Sequence, residues 1–132
     1  MGLDQYLYAV KEPMPLDETK RAKWWDENIS MVNDTQVYYW RKHANLNGYM
    51  ESLFKEKGSN GDFNCECMEL TASDLEKIIR RLVNRESFPY ATGFFWGTSE
   101  DSEEEMLQDL KAFTHAYVEM KAGKFIYYSA NW

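Results

Sequence analysis

Apolar positions follow two periodicities along this chain, and each predicts a different element. Residues 2–10 (Gly-Leu-Asp-Gln-Tyr-Leu-Tyr-Ala-Val) are mostly apolar or aromatic and end at Pro13 and Pro15, which predicts a strand closed by a proline-bearing turn. Residues 16–28 are polar apart from Leu16, Ala22 and the pair Trp24 and Trp25, and read as a short helix or a structured loop. Gln36 to Trp40 is the second strand. Leu46, Tyr49, Met50, Leu53 and Phe54 then recur at helical spacing, with Gly58 as the stop and residues 58–62 as a loop. Cys65 to Leu70 reads as a short strand. Thr71 followed by Asp74 resembles a capping box, and Leu75, Ile78, Ile79, Leu82 and Val83 repeat the helical stripe up to Pro89. Thr92 to Thr98 reads as a glycine-framed aromatic strand, covered on both faces because it does not alternate with polar residues. Ser102 and Glu105 open a last helix whose buried side is Met106, Leu107, Leu110, Phe113, Tyr117 and Val118. Gly123 ends it, and Phe125 to Ala130 forms the final strand.

Interleaved strands and helices favour a parallel sheet in principle, and an open α/β sheet is the alternative. These strands are few, short and aromatic rather than rich in Val and Ile. The expectation is therefore an α+β fold in one domain, residues 1–132. Its sheet is mixed or mainly antiparallel, of about four to five strands, with about three helices on one face.

Composition narrows the chemistry. With 132 residues and 44% apolar content, one domain can bury a core without metal or disulfide. No run approaches a membrane span. The net charge of −7 repels phosphate backbones, so no direct nucleic-acid binding is expected. No secretory signal opens the chain, and Tyr6 stands where myristoylation needs Ser or Thr. The reading is a cytoplasmic protein without cofactor or metal. The acids Glu100, Asp101 and Glu103 to Glu105 sit at the positive end of the last helix, which is a structural reason for the run. Lys77, Arg80, Arg81 and Arg85 read as a solvated helix face.

Three places could carry chemistry. The first is Tyr39, Trp40, Arg41, Lys42, His43 and Asn45, where a strand hands over to a helix. Backbone N–H groups at a helix N-terminus attract anions, and these side chains add charge and donors. The competing reading puts Tyr39 and Trp40 in the core, with Arg41 and Lys42 solvated or paired to acids. The second is the run Gly93-Phe94-Phe95-Trp96-Gly97, where Phe95 and Trp96 are candidate binding residues; as an alternative the run is a core strand. The third is Cys65 and Cys67, whose spacing suits neither a disulfide nor a C-x-x-C site; a thiol paired with His43 needs the fold to bring them together. There is no G-x-S-x-G elbow, and no catalytic residue is assigned.

Several segments together resemble a family of small proteins encoded by bacteriophages and prophages. They are the opening Met1-Gly2-Leu3-Asp4-Gln5-Tyr6; Tyr39-Trp40-Arg41-Lys42-His43 with Asn45-Leu46 and Gly48-Tyr49-Met50; Phe63-Asn64-Cys65; Leu70-Thr71 with Asp74-Leu75; Thr92-Gly93-Phe94-Phe95 with Gly97; and Tyr128-Ser129 with Trp132. Ala44, Asn47 and Trp96 depart from the family pattern, and Asn47 lacks an imidazole that relatives carry nearby. Some relatives bear the label phosphoglycerate kinase. That chemistry needs two domains closing over two substrates, and no G-x-x-x-x-G-K-[ST] loop is present. The resemblance implies phage origin and action inside the infected cell.

Two functions follow as expectations. One is a non-enzymatic binding protein that engages a host macromolecule, a host protein being one candidate, in keeping with 21 aromatic residues (5 Trp, 9 Tyr, 7 Phe). The other is a basic and aromatic pocket around residues 39–45 that binds, or turns over, a small anionic metabolite or nucleotide. A structural or virion-associated role is a third, and self-association as a homo-oligomer stays open.

Overall fold

The computed structural model describes residues 2–132. Four strands form one sheet in the order β2-β1-β4-β3: β1 (Asp4–Val10), β2 (Gln36–Arg41), β3 (Cys67–Leu70) and β4 (Phe125–Asn131). Every neighbouring pair is antiparallel, so the fold is α+β and the open parallel alternative falls away. Antiparallel pairing permits one covered and one partly open face, which matters for the site.

Strand alternation sorts β1 and β4 into two layers. Leu7 and Ala9 with Ile126, Tyr128 and Ala130 enter the main core. That core is closed by α2 (Ala44–Glu56), α3 (Ala72–Val83) and α4 (Glu103–Lys121) on the same side. Tyr8, Val10 and Tyr127 face the other way, beneath α1 (Glu18–Trp25) and the π-helical turn Asp26–Ser30. Trp24 crosses the Tyr127 ring at 5.3 Å, and the Tyr127 hydroxyl accepts from the Met14 N–H at 2.8 Å. The expected three helices thus share one face, while α1 covers part of the opposite one. No helix among the described residues is long and apolar enough to cross a membrane.

Several boundaries differ from the sequence reading. Thr92 to Thr98 is not a strand: Gly93 and Gly97 form an isolated bridge that closes a tight turn. The sheet ends at β2 and β3, so this segment has no strand to pair with. The third strand begins at Cys67, because Cys65 takes a left-handed turn (φ 66°). On α4 the buried side is Met106, Asp109, Ala112, Phe113 and Ala116, whereas Leu107 and Val118 are exposed. Val83 also lies outside the core.

Helix ends follow local chemistry. Thr71 and Asp74 form the capping box reciprocally. Asp74 also meets Lys57 at 2.6 Å. Burial pushes the Asp74 carboxyl up, but the bonds from Lys57 and Thr71 outweigh it and hold the carboxyl below its ordinary value. Gly48 matters through space: a Cβ there would lie 2.4 Å from the Ala91 Cβ, so the glycine lets segment 88–99 close onto α2.

Two outcomes are expected. Gly48→Ala lowers stability by about 1–3 kcal/mol despite better helix propensity, and adding Ala91→Gly recovers much of it; chemical denaturation of both variants checks this. Asp74→Asn costs about 1 kcal/mol near neutral pH. A depressed folded-state carboxyl stabilises fully above its unfolded value and loses that contribution as pH falls through the folded one. Thermal melts should therefore show the gap between wild type and Asp74→Asn closing as pH drops below about 4.

Candidate functional site

The strand-to-helix corner at residues 39–45 sends neighbouring side chains in opposite directions. Alternation along β2 turns Trp40 into the core and leaves Tyr39 and Arg41 outside. Lys42 then adopts φ 57°, a left-handed step that takes the chain off the sheet, and His43 becomes the N-cap of α2.

His43 is the centre of a buried network. Its Nδ1 accepts from the Leu46 N–H at 3.5 Å, and its Nε2 lies 2.7 Å from Asp109 Oδ2 on α4. The other oxygen of Asp109 accepts from the Trp40 indole N–H at 2.8 Å. Gln5 holds the His43 peptide at both ends: Oε1 accepts from its N–H at 2.8 Å and Nε2 donates to its carbonyl at 2.9 Å. The same Nε2 donates to the Tyr128 hydroxyl, which in turn donates to Asn47 Oδ1 at 2.8 Å. Burial pushes the Tyr128 phenol far up, so it acts as a neutral donor. Asp101 Oδ1 stands 3.9 Å from His43 Nδ1, while Asp101 Oδ2 accepts from the Phe88 N–H. Both imidazole nitrogens are engaged inside the fold. A general base must reach a substrate proton, and this geometry gives His43 a structural task.

Asn45 is a clamp. Its backbone and side-chain N–H groups donate to Ser99 Oγ and the Ser99 carbonyl at 3.0 and 3.3 Å, and its Oδ1 accepts from the Ala91 N–H at 2.9 Å. Outside, the Tyr39 hydroxyl donates to Asp4, and Arg41 pairs with the same carboxylate at 3.1 Å. That bond to Asp4 lifts the Tyr39 phenol above its ordinary value. Lys42 meets no carboxylate among the described residues. Residues 39–43 line an open cleft of about 530 Å³. Glu100, Glu105 and Asp109 share that lining with Arg41 and Lys42, so its charge does not select an anion.

The second candidate is a tight turn rather than a strand. Thr92 Oγ1 donates to the Gly97 carbonyl at 2.8 Å, and the Trp96 N–H donates to the Gly93 carbonyl at 3.1 Å. Trp96 is buried, meets the Trp132 ring edge-on at 5.2 Å, and lies so close to Gly93 that a Cβ would sit 3.1 Å from its ring. Phe95 is half-buried. Phe94, at the apex, is 95% exposed.

The third candidate does not assemble. Cys65 is exposed, and Cys67 lies on the outer sheet face, across the sheet from His43. Burial pushes the Cys67 thiol up to about 12, away from thiolate chemistry. Among the described residues no three His, Cys, Asp or Glu side chains form a metal-holding group. On α3, Arg81 donates to the Ser87 carbonyl, and the following Arg85 pairs with Glu103 at 2.7 Å.

Sequence reasoning missed the aromatic outer face of the sheet. Tyr6 and Tyr8 lie nearly parallel, with centroids 5.8 Å apart and planes 7° apart, and Tyr39 joins Tyr6 at 5.2 Å. Trp25 stands edge-on to Tyr8 at 81°. The two-residue spacing of Tyr6 and Tyr8 within a strand was the available signal.

Asp109→Ala strands the Trp40 indole and the imidazole as buried, unpaired donors, and is expected to cost about 3 kcal/mol or more. Asp109→Asn, which keeps an acceptor, costs less, and Arg41→Ala on the surface leaves stability unchanged. Urea denaturation of the three variants checks the ranking. No protein-family model matches this chain, and neither a curated protein nor a solved structure matches it.

Proposed function

We propose that this is a non-enzymatic, phage-encoded binding protein that engages a host protein in the cytoplasm of the infected cell through the Phe94 turn. The carrying observation is a large apolar ring held 95% in water by a braced scaffold. Below it, the Gly93–Gly97 bridge, the Thr92 bond and the Trp96–Trp132 contact anchor the turn. An exposed Phe gains about 1.5–3 kcal/mol on full burial. A turn that is already ordered loses little conformational freedom on binding, so more of that gain appears as affinity.

The same segment exposes Tyr90, which extends the aromatic surface. Aromatic anchors typically dominate interface energetics. A net charge of −7 favours a partner whose apolar pocket is rimmed by basic side chains and steers its approach. The engagement of both His43 nitrogens supports a binding role over catalysis.

Phe94→Ala tests the reading, because removing an exposed ring leaves the melting temperature unchanged. Immobilised wild-type protein is expected to retain a host protein from lysate. Titrating that purified protein against both forms by calorimetry should show about tenfold or greater weakening for Phe94→Ala. Equal affinity of the two forms, or no host protein retained by the wild type, overturns the proposal.

A further inference from the structure

The solvent side of α4 carries a second surface, and Phe94 is not part of it. Glu104, Leu107, Lys111, Thr114, Val118 and Lys121 follow one another at alternating steps of three and four residues, and all six are exposed. That spacing lays them along one seam of the helix, the pattern by which one helix packs against another. Asp109 and Ala116 lie on the opposite side of α4, in the core, so the seam points away from the molecule. Leu107 and Val118 are apolar yet more than half exposed. Beside Leu107, the exposed Val83 and the half-buried Leu110 border a cleft of about 500 Å³ lined mainly by apolar side chains.

The order of residues along the seam is self-complementary. Two α4 helices laid antiparallel, with their axis between Lys111 and Thr114, set Glu104 against the second copy's Lys121 and Leu107 against its Val118. Lys111 then meets Thr114 at the centre, where a long stem can carry the ammonium out to water. Each end of the pair joins an acid to a base, and the apolar side chains meet between. Among the described residues neither Glu104 nor Lys121 belongs to an ion pair. Lys121 is held over the Tyr117 ring at 5.3 Å, within reach of the seam. The same arrangement brings the acidic first turn of each helix beside the last turn of the other and opposes the two helix dipoles. A parallel pair instead sets Glu104 against Glu104 and Lys121 against Lys121, which is unfavourable.

This order selects a second copy as the occupant. An isologous contact uses one patch twice, so a two-fold axis supplies the matching charges and the matching apolar spacing together. Two molecules of net charge −7 repel at a distance, but that repulsion is screened beyond about 8 Å at physiological salt, while groups in contact keep their attraction. A contact along one helix of 19 residues falls at the small end of specific interfaces, on the order of 1,000 Å² in total, which suits a reversible dimer.

We propose that α4 is a self-association surface on which two copies of this chain pair antiparallel along the seam from Glu104 to Lys121. The dimer dissociates with a constant of roughly 10–100 µM.

Analytical ultracentrifugation of the full chain, from about 5 µM to about 1 mM, tests this. The wild type should pass from monomer to dimer across that range. Glu104→Lys alone and Lys121→Glu alone each put like charges at both ends of the pair, and each should weaken association about tenfold or more. Mixing these two variants should restore association, because every end of the mixed pair again joins opposite charges. Carrying both substitutions on one chain should restore it too, which is specific to the antiparallel order. Leu107→Glu with Val118→Glu should leave only monomer while the melting temperature stays near that of the wild type, since both sites are exposed. Phe94→Ala should dimerise as the wild type does. A chain that stays monomeric up to about 1 mM overturns the proposal. So does a dimer unmoved by Leu107→Glu with Val118→Glu, or a mixture of the two charge variants that associates no more tightly than either alone.

Discussion

The carboxamide of Gln5 holds the peptide of His43 by both its N–H and its carbonyl, and much of the molecule's arrangement depends on this grip. It supplies, from the inner face of β1, the bonds that a strand neighbour would otherwise give to a residue that has just left the sheet. Because those backbone groups are satisfied, the chain can turn at Lys42 and start α2 inside the core. The imidazole then reaches Asp109, and Asp109 reaches Trp40, so α4 is tied to both β2 and the start of α2. A buried polar network of this kind has value when its members are paired, since leaving one donor alone in a low-dielectric interior is costly. The same bonds that order the corner also bury its histidine and occupy both ring nitrogens.

Away from that corner, exposed aromatic rings stand on a surface otherwise rich in charge. Two surfaces expose rings for different physical reasons. At the Gly93–Gly97 turn, the buried Trp96 and the bridging glycines leave no inward direction for Phe94. On the sheet, α1 and the π-helical turn cover the end of β1 that carries Tyr8 and Val10, but do not extend over Tyr6 and Tyr39. One surface is a projecting knob, and the other is a row of rings packed against one another that opens to solvent at Tyr39.

Most of the fold was legible in local pattern. The stripe from Leu46 to Phe54, the capping box of Thr71 and Asp74, and the aromatic first and last strands stand close to where the pattern put them. Exceptions share a cause. The run Phe94-Phe95-Trp96 has strand composition, yet a strand exists by pairing, and both sheet edges lie elsewhere. Leu107 and Val118 sit on the edge of an amphipathic stripe, and the buried side of α4 was shifted toward Asp109 by partners distant in sequence, Trp40 and His43.

The sequence by itself determined most element types, the α+β class, the helix caps at Thr71 and Ser102 and the acidic balance, because these depend on residues within a few positions of one another or on a simple sum. Only the tertiary structure decided which members of the Tyr39–Asn45 segment meet. One residue of chain advance reverses a strand side chain's direction, so Tyr39 and Arg41 join Asp4 and Tyr6 outside while Trp40 joins Phe113 within. Whether His43 stood ready for a ligand or was consumed by the core depended on an aspartate 66 positions away, and proximity across that separation is created by packing, not by pattern.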